Sequence, residues 1–481
     1  MKITLFLLAV ILPLSGTIGA APALPDQAPS DPAEEADRFA SVTGQVDLGG
    51  VVFGYLSVDG DLTAIGKYAN SFLDEMRKIQ PDVPPVNVPA LLKITGLDAI
   101  SALGFSSVAT ADGFRNKTYV HTPKGRRGLL RLMGGESKPF EVVALAPAGS
   151  DLVIEQDLNL KTLYESVLEA ADLAMGEQGK AMVRMTLKQP MPPPITFTME
   201  KVMADLDTKL TVIIDADPTK MVRVLPHQLE IPQLKGAVLL DGLGWIADEL
   251  TKVLEPMLAQ GGKRKPPFKI LRNANWVGMQ LDLISASAAS EREKKEISEL
   301  GWETALLAHH VPSGKLVLAS GKEFADKLFA SKPGLGQDPA FQKTMKGLPM
   351  EGTSLTYASP AFFSSLRQSF EKLNELANDK EHEQDDRFAA TSLLNLLLPK
   401  NAWGEGSVTT NTKDGTLTIS NSAHSHKSSL ATGLASPLFT VAGFAAGQAL
   451  EARDQLIRGF EEAHAEEVIR AEDEDFDKIG D

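Results

Sequence analysis

Histidines and closely spaced carboxylates are the side chains from which chemistry at neutral pH would be built, since imidazole can act as base or ligand and paired carboxylates can hold a divalent cation. The chain has 8 histidines and no cysteine, which removes thiolate nucleophiles and cysteine-ligated metals together. Asp215 and Asp217 follow the apolar run Leu210 to Ile214, and two carboxylates at a strand's end suit a cation beside phosphates. Pro218 comes directly after them, and a turn is the favoured reading. His309 and His310 are adjacent, so a regular strand sends them to opposite faces and they cannot share one metal. His424 and His426 continue the face of Thr416, Thr418, Ser420 and Ser422, where two imidazoles could bind zinc or copper if carboxylates converged from elsewhere. Without a visible third ligand, a solvent-facing polar strand is favoured for them. His424, His426, Asp215 and Asp217 are thus the candidate metal ligands; no catalytic or cofactor-binding residue is nominated, and no cofactor is expected.

Basic clusters offer a second chemistry. Lys124, Arg126 and Arg127 could grip an anion or begin a helix in solvent, and Lys263-Arg264-Lys265 before Pro266-Pro267 reads as a basic linker with an envelope-binding patch as the alternative. There is no Gly-x-Ser-x-Gly elbow, phosphate loop, His-Glu-x-x-His pair or dinucleotide glycine fingerprint. Asp473, Asp475 and Asp477 begin like a calcium loop, but Lys478 stands where the turn needs glycine. Aromatic content of 6% also weakens a sugar-binding reading, which would favour stacking platforms.

These residues must be positioned by a chain of 481 residues, 43% hydrophobic and 23% charged, enough for a substantial core in two or three domains. A formal charge of −15 disfavours a nucleic-acid partner, which needs a basic surface. Lys2, the apolar run Ile3 to Leu14 and the small residues Gly19 to Ala21 predict a signal peptide over 1–21 and an exported location: periplasm, envelope or extracellular. Residues 22–45, rich in Pro, Ala, Asp and Glu, predict a disordered spacer. Residues 428–450 lack charge and are long enough for a membrane helix, yet Pro437 and the many small residues favour a docked or buried segment. Residues 451–481 predict an acidic helical tail.

Between these ends the pattern predicts an α+β fold with antiparallel sheets. Strands are expected at Val51 to Ser57, Ser107 to Thr110, Thr118 to His121, Leu152 to Gln156, Leu210 to Ile214 and Lys235 to Leu240. Helices are expected from Leu62 to Lys78 and, after a proline-rich break, up to Leu103-Gly104. Ser407 to Asn411 and Thr416 to Ser420 flank Asp414-Gly415 as a hairpin. Ile100, Leu103, Gly104 and Phe105 reappear at one offset as Ile297, Leu300, Gly301 and Trp302, which also carries Tyr119 to His121 onto Leu316 to Leu318. Ala146-Pro147 and Leu152 then match Leu348-Pro349 and Leu355. Two related α+β halves are therefore expected, 46–235 and 236–427, each of antiparallel strands packed against amphipathic helices.

At Gly96-Leu97-Asp98 through Leu103-Gly104, and again at Leu348 to Gly352 and Ser359-Pro360, the chain resembles an exported bacterial family of unknown function built from two related α+β halves. The resemblance covers about Val51 to Ala423 and implies location and fold, with no active-site residue attached. The expected function is a non-enzymatic envelope or secreted protein that binds an unidentified protein or envelope component, with membrane association through 428–450 as a further option. The alternatives are a hydrophobic-ligand carrier or chaperone using helices such as Leu62 to Met76 and Leu160 to Leu173, and a hydrolase with dispersed carboxylates.

Overall fold

In a computed structural model the chain is described over residues 31–427, apart from 82–85, 191–194, 196, 205–206, 225–228, 260–266, 287–293, 295–297, 299–302, 331–332 and 379–402. The leader, the 428–450 segment, the acidic tail with Asp473, Asp475 and Asp477, the Lys263 to Lys265 cluster, and Ile297 with Leu300 to Trp302 of the expected repeat lie outside these residues. The described residues belong, Lys427 excepted, to one compact unit, Ala28–His426. Among them no helix is long and apolar enough to cross a membrane.

The elements run α1 (Pro32–Thr43), β1 (Val52–Ser57), α2 (Asp61–Ile79), α3 (Val88–Thr95), β2 (Ala102–Thr110), β3 (Gly113–His121), β4 (Lys138–Pro139), α4 (Val142–Leu145), β5 (Leu152–Asn159) and α5 (Leu160–Met175). They continue with α6 (Glu177–Lys188), α7 (Met199–Ala204), β6 (Asp207–Val224), β7 (Leu229–Leu240), α8 (Gly244–Ala259), β8 (Phe268–Arg272), β9 (Trp276–Asp282), α9 (Leu283–Ala286), β10 (Thr304–His310) and β11 (Lys315–Ala319). The last are α10 (Lys322–Phe329), α11 (Pro339–Thr344), β12 (Glu351–Gly352), β13 (Ser354–Ala358), α12 (Pro360–Asn378), β14 (Glu405–Thr412) and β15 (Gly415–Ser422). The fold is α+β: a 13-stranded sheet ordered β1-β2-β3-β15-β14-β13-β5-β6-β7-β11-β10-β9-β8, with β4 and β12 paired apart from it. Every neighbouring pair in the sheet is antiparallel.

Alternation along the central strands explains the core. Val153 and Glu155 of β5 and Leu355 and Tyr357 of β13 are buried, and they pair across the ladder as Val153 with Tyr357 and Glu155 with Leu355, all on one face. Ile213, Leu239, Val317, Leu306 and Val408 join this face, and Val142, Phe324, Leu328, Leu335, Phe341 and Leu348 close over it from α4, α10, α11 and the intervening loops. Two smaller clusters flank it, one of Val42, Val46, Ala102 and Tyr119, the other of Leu243, Ala247 and Leu316 beside α8.

Matching β1, β2, β3, β5, β6 and β7 to β9, β10, β11, β13, β14 and β15 makes the strand order read the same from either end, with β8 added at one edge. The centre falls on Ile154 paired with Thr356. On one side of it the Asp157 N–H donates to the Thr353 carbonyl at 2.8 Å, and on the other the Ser359 N–H donates to the Asp151 carbonyl at 2.7 Å. The expected halves do not stand apart, however. Strands from both lie interleaved in one sheet, and the expected division at 235/236 falls inside β7, which pairs with β6 along its length.

Three expectations need correction. Residues 22–45 are not all spacer: Asp31 caps α1 by accepting from the Ala33 N–H at 2.9 Å, Pro32 opens the helix, and Val42 is fully buried against the sheet. Arg38 of α1 is buried too and reaches Asp59 at 2.7 Å, a tie that an acidic, proline-rich composition conceals. The second helix stops at Thr95, not at Gly104, because Gly96 takes φ 80 and a Cβ there would meet the Arg127 carbonyl oxygen at 1.9 Å. Leu103 and Gly104 instead belong to β2, where the bare glycine admits Val42 of α1. Finally, β6 does not end at Ile214 but runs on past Pro218, with a register irregularity between Asp217 and Met221 that accommodates the proline.

Leu355 lies at the centre of the core and fully out of water. Leu355→Ala is expected to cost about 2–5 kcal/mol, read as a shift of the urea midpoint with the slope unchanged.

Candidate functional site

The densest group of ionisable side chains sits at one end of the core face, where β5, β6, β7 and β11 are neighbours. Lys209 on β6 pairs with Glu155 at 3.2 Å and Glu141 at 3.0 Å, while Lys315 on β11 pairs with Glu141 at 3.1 Å and Asp241 at 2.5 Å. Both lysine side chains are only 10% exposed and Glu155 is 3% exposed. Glu155 also accepts from the Val142 N–H at 2.6 Å and the Glu141 N–H at 3.3 Å, so α4 is held on the sheet through a carboxylate. Burial pushes Glu155 above the usual carboxylate range despite these donors. Burial acts on Glu141 in the same direction, but hydrogen bonds from Lys209 and Lys315 outweigh it and leave Glu141 below that range. Asp157, one turn of the strand away, is raised by burial. The ion pairs of Lys209 and Lys315 close within the group, and through Glu155 the arrangement anchors α4 on the sheet.

The sequence-predicted residues go elsewhere, each to its own partner. Asp215 meets Lys327 at 3.0 Å. Asp217 accepts from the Thr219 hydroxyl at 2.6 Å and its N–H at 3.1 Å, and these bonds hold its carboxyl below the usual range, as a turn-forming aspartate would be. His309 and His310 do face opposite ways: His309 Nδ1 lies 3.0 Å from Asp248 on α8, whereas His310 is stacked on Phe329 with centroids 3.6 Å apart. His424 and His426 fall beyond β15, not on its continued face. The His424 carbonyl accepts from Asn116 at 2.9 Å, and His426 Nε2 lies 3.3 Å from the Thr118 hydroxyl and 3.2 Å from the Lys117 carbonyl. Among the described residues no three His, Asp or Glu side chains gather to hold a metal. Arg126 reaches the Gly134 carbonyl at 3.1 Å, and Arg127 meets Asp98 at 3.1 Å, so both fasten loops.

A different feature stands out on the helical layer. Helix α2 packs against α3, α3 against α5, and α5 against α6 and α7. The α2–α3 approach needs Gly66, where a Cβ would meet Leu92 at 2.6 Å. Away from that contact α2 turns four large apolar side chains to solvent: Ile65 is 38% exposed, Tyr68 59%, Phe72 60% and Ile79 81%. Their spacing of three, four and seven aligns them as one stripe along the helix. Val167 and Met175 of α5, Met182 and Met185 of α6 and Met199 of α7 are exposed as well. Sequence reasoning found α2 but did not separate its packed residues from its exposed ones.

Comparison with family models, with curated proteins and with solved structures returned no match.

Two measurements probe the buried charges. Lys209→Met leaves Glu155 without its cation and is expected to cost about 3–5 kcal/mol in chemical denaturation. Because the folded state raises Glu155 above 4.5, its stabilising contribution is complete below that pH and falls as pH rises through the elevated value. The stability of the wild type relative to Glu155→Gln should therefore decline from pH 4 towards pH 7, and a difference that grows instead would refute the burial argument.

Proposed function

We propose that this is an exported, non-enzymatic binding protein that docks an amphipathic helix of a partner protein along the outer stripe of α2. The observation that carries the reading is the exposure of Ile65, Tyr68, Phe72 and Ile79 on one line of a helix whose other face is already packed. Solvent gives no reason to place four large apolar groups at this spacing, whereas a partner helix would seat its own side chains between them. Glu75 occupies the one position of that seam that is not apolar, and a charge there selects against indiscriminate partners. The exposed methionines of α5, α6 and α7 add adaptable apolar surface in the same helical layer. Export rests on the leader-like sequence Lys2 to Ala21. The two sets of strands that mirror each other across Ile154 and Thr356 support a reading as two copies of one unit, as in the exported family that the sequence resembles.

The test uses the full chain and a model amphipathic peptide with leucine at heptad a and d positions. Saturable binding is expected by fluorescence anisotropy, weakened about tenfold or more by Phe72→Asp, since loss of a buried aromatic at an interface exceeds about 1.4 kcal/mol. The same substitution should change folding stability by no more than about 0.5 kcal/mol, as for a surface site. Equal affinity of wild type and variant would overturn the proposal, and so would unfolding of the variant, which would mean that the stripe is already covered.

A further inference from the structure

The strand matching described above relates the buried charges of one half to a cleft in the other. Asp157 pairs with Lys209 at the end of β5 and β6, and the counterpart step beyond Ala358 and Glu405 sets Ser359 beside Gly404. Leu240 pairs with Leu316, and its counterpart is Ser422 with Phe114, so Asp241 and Lys315 correspond to Ala423 and Gly113. Where one end of the sheet carries two lysines and an aspartate, the other carries two glycines and an alanine, and a cleft of about 660 Å³ lies beside one of them, Gly404. Its lining includes Asp112, Arg115, Lys343, Lys346, Trp403 and Asn421.

We infer that this cleft is a binding site for a small organic anion with a carboxylate or phosphate head and a planar ring. Arg115 is fixed in place: its Nε donates to Asn421 Oδ1 at 3.2 Å and its Nη2 donates to the Lys346 carbonyl at 2.6 Å. Gly347, at φ 75, makes room for that guanidinium, since a Cβ would lie 2.6 Å from Nη2. Lys343 is held more loosely, with its ammonium 4.7 Å from the Trp403 ring centroid and 3.3 Å from Asp112 in a pair whose side chains are 59% and 52% exposed. An exposed pair of this kind exchanges readily, so an incoming oxyanion can take the place of Asp112. The indole supplies a flat apolar wall for the ring, and Asn421 already spends its amide on the carbonyls of Thr344 and Lys346, which stiffens the floor. Arg115, Lys343 and Lys346 concentrate positive charge on a chain whose net charge is −15, and that local inversion is what an anion would find.

Full-length protein would be titrated calorimetrically with phenyl phosphate, benzoate, inorganic phosphate and benzyl alcohol. Saturable binding is expected for phenyl phosphate or benzoate, and the stronger of the two identifies the head group. Binding should weaken about tenfold in Lys343→Gln, the loss of one charge-assisted contact, and comparably in Trp403→Phe. Circular dichroism of both variants should match the wild type, because each alters a side chain at the cleft's rim; if one fails to fold, the other decides. The inference is overturned if neither aromatic anion saturates, if inorganic phosphate or benzyl alcohol binds as tightly as phenyl phosphate, or if both folded variants bind like the wild type.

Discussion

The ladder between β5 and β13 is the interaction on which the rest of the structure depends. Strands far apart in sequence meet there, from Leu152 opposite Ala358 to Gln156 opposite Ser354, and all other strands are added outward from this pair. A backbone ladder between segments some two hundred residues apart carries a large closure entropy, so the side chains that lock it must return more than the pairing alone. Val153, Leu355 and Tyr357 supply that by burial on the core face. Asp151 and Ser359 add a polar lock at one end, where the serine hydroxyl donates to Asp151 at 2.5 Å and the other carboxylate oxygen accepts from the Ala216 N–H at 2.8 Å. The hydroxyl of Tyr357, raised to well above the ordinary tyrosine value by burial, stays neutral in this setting and behaves as part of the core.

The same symmetry that organises the strands sets off where the two ends differ. One end buries two lysines and Glu155 in a closed set, and the desolvation that this costs is offset because each lysine meets two carboxylates and Glu155 meets Lys209 and two backbone N–H groups. The other end has Gly404 and Gly113 at the matching positions, each closely covered by its neighbours, and beside Gly404 the cleft is lined by residues of α11 and by Trp403. Closed ionic sets fix an element, here α4 through Glu155, whereas open cationic ones are free to exchange partners. A chain with mirrored strands can thus devote one end to rigidity and the other to recognition without altering the sheet between them.

How much of this was legible in the sequence depends on the range of the interaction. The α+β class, β5, the β14–β15 hairpin and helices α2 and α5 followed from local periodicity and from Asp414-Gly415. Register between distant strands did not, because alternation of period two marks which face of a strand is buried but not which distant strand it meets or where along it. Tyr119 to His121 were matched to Leu316 to Leu318, whereas the ladders place Gly113 to Lys117 opposite β15 as Lys315 to Ala319 lie against β7. Leu152 was matched to Leu355, yet it is Val153 that is buried on the same face as Leu355. The charge cluster was missed for a related reason: Glu141, Glu155, Lys209, Asp241 and Lys315 are scattered over the chain, and nothing local marks Glu155, Lys209 or Lys315 as interior. Histidine and aspartate pairs, which are conspicuous because they are close in sequence, proved to be spread among separate neighbours.

Helix α2 shows where a correct local reading still merges two things. Its apolar residues span a wide arc, which spacing alone does not divide. In the folded chain the arc divides. Gly66 seats the helix on Leu92 of α3, with Leu62, Ala69 and Leu73 half-buried, while Ile65, Tyr68, Phe72 and Ile79 lie to the side of that contact and face water. A glycine in mid-helix is unfavourable by about 1 kcal/mol relative to alanine, and its presence at the tight contact identifies which stripe the fold itself uses. The remaining stripe has no such adaptation to a neighbour within the described residues, and its side chains are full-sized. Among the described residues these large groups are aligned on one line and exposed, which is the observation on which the docking proposal rests.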